Sequence, residues 1–208
     1  MSKVTAPLMS MGASGALGGA IVFSRWKGRP YVRALVVPAN PRSDGQVGLR
    51  AMFGFLAAQW AGLSVLNKAT WDDPAEALNV SPFNSYMRGN QFQWRNNLAP
   101  SQVYPYAPSG LTVSAPTLTG TAGERSITID IADGAQAPDW GYILVRKLAA
   151  DPTQSWAFCK AVLEVDPSGT TTFVDSPLDA GEYRYAAWGF ASDGSEGTLS
   201  VVETVNLT

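Results

Sequence analysis

The sequence predicts an α+β N-terminal domain, made of a β-hairpin and two to three helices, followed by an all-β sandwich. Apolar residues recur at helical spacing in much of the first half and alternate along short runs in the second. The charge also changes sign: residues 1–100 carry ten Lys/Arg and four Asp/Glu, whereas residues 101–208 carry five and thirteen. A chain of 208 residues can form two small domains, and we place them at 1–104 and 105–208.

The composition argues against an enzyme. The chain has no histidine and one cysteine, Cys159. Histidine is the commonest general base and metal ligand, and a lone cysteine forms neither an intrachain disulfide nor a multi-cysteine zinc site. The neighbouring carboxylates of Asp72 and Asp73 lie at a predicted helix end, where adjacent residues do not face one another. We therefore expect no catalytic residue, no metal ion and no cofactor.

The N-terminal segment from Val4 to Ser24 is uncharged and interrupted by glycine, serine and proline. A membrane-spanning helix needs about 20 mainly apolar residues, and a signal peptide needs a compact apolar core, so neither pattern fits. We predict a flexible glycine-rich arm that leads into a strand, and we expect no membrane partner.

Two β-prone runs, Ala20–Phe23 and Tyr31–Val37, flank a glycine-containing turn and predict the β-hairpin. Pro38 and Pro41 end it, because proline has no N–H to donate to a ladder. Basic and aromatic residues gather at the hairpin tip. This candidate docking set consists of Arg25, Trp26, Lys27, Arg29 and Arg33. The set suits contact with another protein, and contact with nucleic-acid phosphate is the alternative.

The first predicted helix begins at Ser43, which forms a capping-box pattern with Gln46. Its apolar face repeats at helical spacing and comprises Leu49, Met52, Phe53, Leu56, Trp60 and Leu63. Four glycines between residues 45 and 62 each weaken this helix by about 1 kcal/mol relative to alanine. The helix therefore needs tertiary packing or a partner.

Two more helices are predicted before residue 100. Ser64 is placed to cap a short helix over residues 65–71, and Ser81 followed by Pro82 begins a third helix. The apolar stripe of the third helix is predicted to be core. Its members are Phe83, Tyr86, Met87, Asn90 and Trp94.

The order of motifs in this half resembles a group of small virion proteins of tailed bacteriophages. The matching pieces are Trp26-Lys27-Gly28, Tyr31-Val32-Arg33, Asn40-Pro41-Arg42-Ser43 with Gln46, Trp60, Leu63-Ser64, Trp71 and Ser81-Pro82-Phe83-Asn84-Ser85-Tyr86. Ser43 stands where threonine is usual, and Pro82 stands where glycine commonly precedes the aromatic residue. The resemblance covers roughly residues 15–95. It implies location in a virion assembled in the host cytoplasm, not a catalytic site.

The second half contains about seven short predicted strands. Ile127, Ile129 and Ile131 alternate with polar residues, which indicates a half-buried strand, and Trp140, Tyr142 and Leu144 alternate in the next. The other predicted strands lie at 111–113, 156–165, 170–174, 183–187 and 199–207. This number of strands in about 100 residues fits an immunoglobulin-like sandwich.

The segment from Phe173 to Tyr185 resembles the E–F region of a fibronectin type III module. The resemblance implies that Leu178 plugs the core and that Tyr183 forms a tyrosine corner, with Tyr185 as the alternative. Ile131 stands where that family usually has tryptophan, and Trp140 is the candidate to supply the missing ring.

Three functional hypotheses follow. The first is a non-enzymatic virion structural protein, present as a homo-oligomer or in many copies. Its basic domain docks on the major capsid protein or on tail proteins, and its sandwich projects outward; capsid decoration is preferred over a tail, neck or baseplate accessory role. The second is a carbohydrate- or cell-surface-binding module that uses Trp140, Trp156 and Trp188 as a stacking platform. The third is nucleic-acid binding at the hairpin tip, which is not the expected partner.

Overall fold

The computed structural model describes residues 2–3, 14–37 and 43–208. The chain divides into two compact units, residues 1–41 and residues 42–208. This division differs from the predicted boundary at residue 104, because the helices of the first half share a hydrophobic core with strands of the second half. Residues 4–13 of the predicted glycine-rich arm, together with Pro38 and Pro41, lie outside the described residues, whereas Gly15–Leu17 of that arm form a strand.

The first unit is a four-stranded antiparallel sheet. Its strands are β1 (Ser2–Lys3), β2 (Gly15–Leu17), β3 (Ile21–Trp26) and β4 (Arg29–Ala34), in the order β1-β4-β3-β2. Strands β3 and β4 form the predicted hairpin. Its two-residue turn has positive φ at Lys27 (49°) and Gly28 (75°), as a type I′ turn requires.

Four helices open the second unit: α1 (Asp44–Gly62), α2 (Val65–Ala69), α3 (Asp72–Leu78) and α4 (Pro82–Arg95). The sequence missed α3 as a separate helix. Asp72 and Asp73 lie in its first turn, where carboxylates are favoured by the positive end of the helix dipole. In the described ranges, no single helix is long and apolar enough to cross a bilayer. The pair formed by α1 and residues 65–78 is long and apolar enough when the two are taken together, but it is bent by 118°.

Two of the three predicted helix caps are confirmed. The Ser64 hydroxyl accepts the Asn67 N–H at 3.1 Å, and the Ser81 hydroxyl accepts the Asn84 N–H at 3.2 Å. The predicted capping box is wrong in its side-chain bond: Ser43 is the residue before α1, but its hydroxyl makes no cap. The Gln46 N–H is already bonded to the Ser43 carbonyl at 2.9 Å, so that donor has no need of the hydroxyl.

The predicted apolar face of α1 is correct at Met52, Leu56 and Leu63 and wrong at two positions. Leu49 and Phe53 are 42% and 52% exposed, whereas Phe55 is buried. The helix is oriented so that Gly48 faces the backbone of Trp156. A Cβ at residue 48 would lie 2.8 Å from the Trp156 carbonyl oxygen. Because Gly48 has no side chain, α1 can approach Trp156 this closely. In this orientation Leu49 and Phe53 point away from the core.

Seven strands complete the second unit. They are β5 (Thr117–Ala122), β6 (Ile127–Ala132), β7 (Gly141–Leu148), β8 (Cys159–Glu164), β9 (Thr170–Asp175), β10 (Gly181–Phe190) and β11 (Glu203–Leu207). One antiparallel sheet has the order β5-β6-β9, and the other has the order β11-β10-β7-β8. The predicted β-sandwich is therefore present.

The first predicted strand of the sandwich is wrong. Residues 111–113 form no strand, and β5 supplies the seventh one instead. Val113 is nevertheless buried, because it fits against two glycines: a Cβ at Gly189 or Gly197 would lie 3.0 Å from its side chain. The β-prone residues of this segment are therefore explained by the burial of Val113 against the two glycines and not by pairing with another strand.

The four-stranded sheet of the sandwich is buried on both faces. Along β7, Tyr142 and Leu144 belong to the core between the two sheets. Ile143 and Val145 belong to a second core, which lies between this sheet and the helices and includes Met52 of α1. The two cores explain why residues 42–208 form one compact unit.

Candidate docking surfaces

The hairpin brings most of the predicted docking set onto one face of the N-terminal sheet. Trp26 pairs with Arg29, and directly opposed residues of antiparallel strands share a face. Arg29 and Arg33 alternate along β4 and so lie on that same face. Lys27 lies in the turn, with its ammonium 4.9 Å from the centroid of the Trp26 ring. The structure does not bring Arg25 to this basic face, because it is adjacent to Trp26 in β3 and points to the other side.

The opposite face of the sheet is apolar except for Arg25. The register places Leu17 beside Ile21, Ile21 beside Ala34 and Phe23 beside Val32. Leu17 and Ile21 are 52% and 40% exposed, and neither of the two hydrophobic cores contains a described residue of this sheet. The sequence contained this signal only as two β-prone runs, and the register is needed to show which of their apolar residues share a face.

The charge separation is sharper than the division into halves indicated. Residues 1–41 contain five Lys/Arg and no Asp/Glu, whereas residues 42–208 contain ten Lys/Arg and seventeen Asp/Glu. The first unit therefore carries a net charge of +5 and the second a net charge of −7. A uniformly basic unit attracts an acidic partner over a distance comparable to the Debye length, about 8 Å at physiological salt.

The proposed tryptophan platform for sugar stacking is contradicted. Trp140 and Trp188 are each 3% exposed, and Trp156 is half-buried against the helix-facing core. The Trp140 ring packs 5.4 Å from that of Phe55, and its indole N–H donates to the side-chain oxygen of Gln59 at 3.1 Å. These rings are covered because they belong to the core between α1 and the sheet that carries Trp188.

Trp140 also does not fill the place of a strand-B tryptophan. It belongs to the core under the helices, whereas Ile131 is fully buried in the core between the sheets. The core between the two sheets is therefore packed without the Trp140 ring.

The tyrosine corner is at Tyr183, as the resemblance implied. Its hydroxyl donates to the Asp179 carbonyl at 2.8 Å, and Leu178 is buried in the same core. The hydroxyl of Tyr185 instead donates to the Asp175 carboxylate at 3.0 Å. The alternative assignment to Tyr185 is therefore excluded.

A buried carboxylate that the sequence analysis missed joins the two sheets. Asp175, 1% exposed at the end of β9, lies 2.6 Å from the Arg146 guanidinium and 3.0 Å from the Lys160 ammonium. Burial, and then the charge of Asp175, raise the pKa of Tyr185. Two cations and a hydroxyl stabilise this carboxylate, so we interpret the cluster as a structural link across the sandwich.

Cys159 has the character of a core residue rather than of a nucleophile. It is 1% exposed, and burial raises the pKa of its thiol to about 12. A thiol with this pKa remains protonated at neutral pH, and the thiolate is the reactive species. Among the residues that the structure describes, no group of three His, Cys, Asp or Glu side chains is placed to hold a metal ion.

Comparison with known proteins identifies no family. No family model matches the chain, and no curated protein matches it. Among solved structures, a β-1,2-glucanase from Parabacteroides distasonis is 20% identical with a TM-score of 0.38, over 48% of this chain and 13% of that one. The fibronectin domains of chicken CNTN1 are 18% identical with a TM-score of 0.34, over 49% and 35% of the two chains. No activity is inferred from likenesses at this level.

Proposed function

We propose that this chain is a non-enzymatic structural protein of a tailed-bacteriophage virion, attached to the particle by its N-terminal sheet. The proposal rests on the order of motifs over residues 15–95 and on the character of the sheet. The virion, assembled in the host cytoplasm, is the corresponding location. The partner is the major capsid protein or a tail protein of the same particle.

The observation that carries the proposal is an apolar sheet face, with Leu17 and Ile21 exposed, whose described residues belong to neither hydrophobic core and lie in a unit without acidic residues. A sheet gains its stability by burying its apolar face against a second layer. The core of residues 42–208 is complete without this sheet. A partner surface would therefore supply the missing layer, and the positive charge of the unit, which includes Arg29 and Arg33 on the opposite face, favours an acidic partner.

The sandwich is proposed to be of the fibronectin type III kind and to project from the particle. Its fourth strand, β8, lies beside β7, whereas a constant-type immunoglobulin domain has its fourth strand in the sheet of the first two. The corner at Tyr183 supports the same assignment. The excess of acidic residues in this unit favours a solvated surface.

Within this proposal, capsid decoration is preferred over a tail, neck or baseplate role. Decoration suits a small chain that separates a basic attachment unit from an acidic unit. Quantitative mass spectrometry of purified virions distinguishes the roles: hundreds of copies per particle would indicate decoration, and about 3 to 12 copies would indicate a closed ring in the tail or neck. Absence from purified virions would overturn the proposal.

Attachment through the sheet is tested by cosedimentation with particles that lack the protein. Arg29→Glu and Arg33→Glu should each reduce the bound fraction by about tenfold at physiological salt. The matched control is Arg125→Glu, because Arg125 is an exposed arginine of the other unit. Full binding by both sheet variants would show that the positive charge of the sheet does not contribute to attachment, contrary to the proposal.

A further inference from the structure

A surface groove between α3 and α4 is not used by the proposed attachment through the sheet. It has a volume of about 480 Å³ and is lined by side chains of both helices and by Tyr104. Trp71 forms its floor, with its ring 5.5 Å from that of Tyr104 and its indole N–H donating to the Gln102 carbonyl at 3.0 Å. Gly89 allows this position of the ring, because a Cβ there would lie 2.9 Å from it.

One wall of the groove is a stripe along α4. Its members, at positions i, i+3, i+4 and i+7, are Arg88, Gln91, Phe92 and Arg95. Phe92 is 67% exposed, which is unusual for a phenylalanine beside an apolar groove on a free surface. Arg88 and Arg95 form no ion pair within the described residues. The facing wall on α3 is apolar, formed by Pro74 and Leu78.

The amide of Gln91 indicates what kind of chain would occupy the groove. Both its oxygen and its nitrogen are buried and lack a hydrogen-bond partner among the described residues. Buried polar groups are nearly always paired, so this amide lacks one donor and one acceptor. The main chain of an extended peptide offers both, an N–H and a C=O, at each residue.

The spacing of the two arginines indicates two separate anionic groups. Seven residues of helix place their Cα atoms about 10 Å apart, so each guanidinium can contact a carboxylate of its own. In an extended peptide, side chains four residues apart point to the same face and are separated by about 13 Å, a difference that two long arginine side chains can accommodate. We propose that this groove binds an extended acidic segment of a partner protein. The Gln91 amide turns out of its buried position to pair with the main chain of this segment. Two carboxylates four positions apart contact Arg88 and Arg95, and the apolar side chain midway between them packs on Phe92.

The experiment is selection of a displayed random dodecapeptide library on the full chain, followed by affinity measurement with the selected consensus peptide. Enriched peptides should carry two Asp or Glu residues four positions apart, with an apolar residue midway between them. Arg88→Glu and Arg95→Glu should each weaken binding of this peptide by about tenfold. The control Arg125→Glu makes the same change of charge away from the groove and should leave the affinity unchanged.

Two further variants separate binding from folding. Gln91→Leu should weaken peptide binding while the melting temperature stays the same or rises, because it removes an unpaired buried amide. Phe92→Ala should weaken binding, whereas Phe53→Ala, at a phenylalanine of α1 that is 52% exposed, should not. Enrichment of peptides without paired acidic residues, or wild-type affinity for the selected peptide in both Arg88→Glu and Arg95→Glu, would overturn the proposal. Preferential binding of the oligonucleotide dT12 that these two variants abolish would assign the groove to nucleic acid and would also overturn it.

Discussion

The N-terminal sheet and the remainder of the chain show two opposite ways of using β-strands. In the sheet of residues 14–34, Leu17 and Ile21 remain 52% and 40% exposed, and a single layer carries an apolar face. In residues 43–208, the sheet β11-β10-β7-β8 is covered on both faces, by helices on one side and by a second sheet on the other. Strands that lack a second layer are available to a partner, whereas strands covered on both sides stabilise the unit that contains them.

The largest expected effect comes from separating the sandwich from its helices. A fragment of residues 105–208 exposes the face that carries Ile143 and Trp188, so we expect it to aggregate or to lose a cooperative thermal transition. A fragment of residues 42–208 should melt at the same temperature as the full chain. Differential scanning calorimetry measures both. A cooperative melt of the 105–208 fragment at the temperature of the full chain would show that the helices are dispensable.

The close approach of α1 to the sheet predicts the next largest effect. Gly48→Ala places a Cβ 2.8 Å from the Trp156 carbonyl oxygen and 3.0 Å from the Cys159 Cβ, so we expect a loss of about 1–3 kcal/mol. Gly54 lies in the same helix with no atom within 4 Å of such a Cβ. Gly54→Ala should therefore stabilise the protein by about 0.5–1 kcal/mol. Urea denaturation measures both changes, and a stabilising Gly48→Ala would contradict the packing of α1.

The tyrosine corner predicts a smaller effect, confined to the covered sheet. Tyr183→Phe removes the bond to the Asp179 carbonyl and should reduce the free energy of unfolding by about 1 kcal/mol. Tyr31→Phe, in the single-layer sheet, should leave it unchanged. Urea denaturation measures both free energies of unfolding. Equal losses for Tyr183→Phe and Tyr31→Phe would contradict a stabilising role that is specific to the Tyr183 hydroxyl.

The smallest effect concerns the turn at Asp193. Burial raises the pKa of this carboxyl, but bonds from Ser109 and Ser195 outweigh it and lower the pKa to about 2, from the usual 3.8. The stabilisation by Asp193 is therefore present above about pH 4 and lost as the pH falls to about 2. Asp193→Asn should cost about 0.5 kcal/mol at pH 6, after allowance for solvent screening, and nothing at pH 2. Melting temperatures measured at the two pH values test this, and a cost that persists at pH 2 would contradict the charge as its cause.

Local patterns in the sequence predicted the elements that depend on local interactions. The hairpin follows from two β-prone runs around Lys27-Gly28, whose positive φ values match the turn. The caps at Ser64 and Ser81 follow from hydroxyls that reach N–H groups three residues away. The alternation at Ile127, Ile129 and Ile131 marks a strand with one buried face.

Long-range packing determined the rest. Gly48 in α1 looks like a weakness in the sequence, and only its contact with Trp156 shows that it determines which side of the helix is buried. The alternation of Trp140, Tyr142 and Leu144 indicates one buried face, but the helices cover the other face as well. Asp175 meets Arg146 and Lys160 only where three strands come together. The sequence by itself determined turns, caps and strand periodicity, because these arise from neighbours along the chain. The tertiary structure decided which faces are covered, because that depends on residues that are distant in sequence.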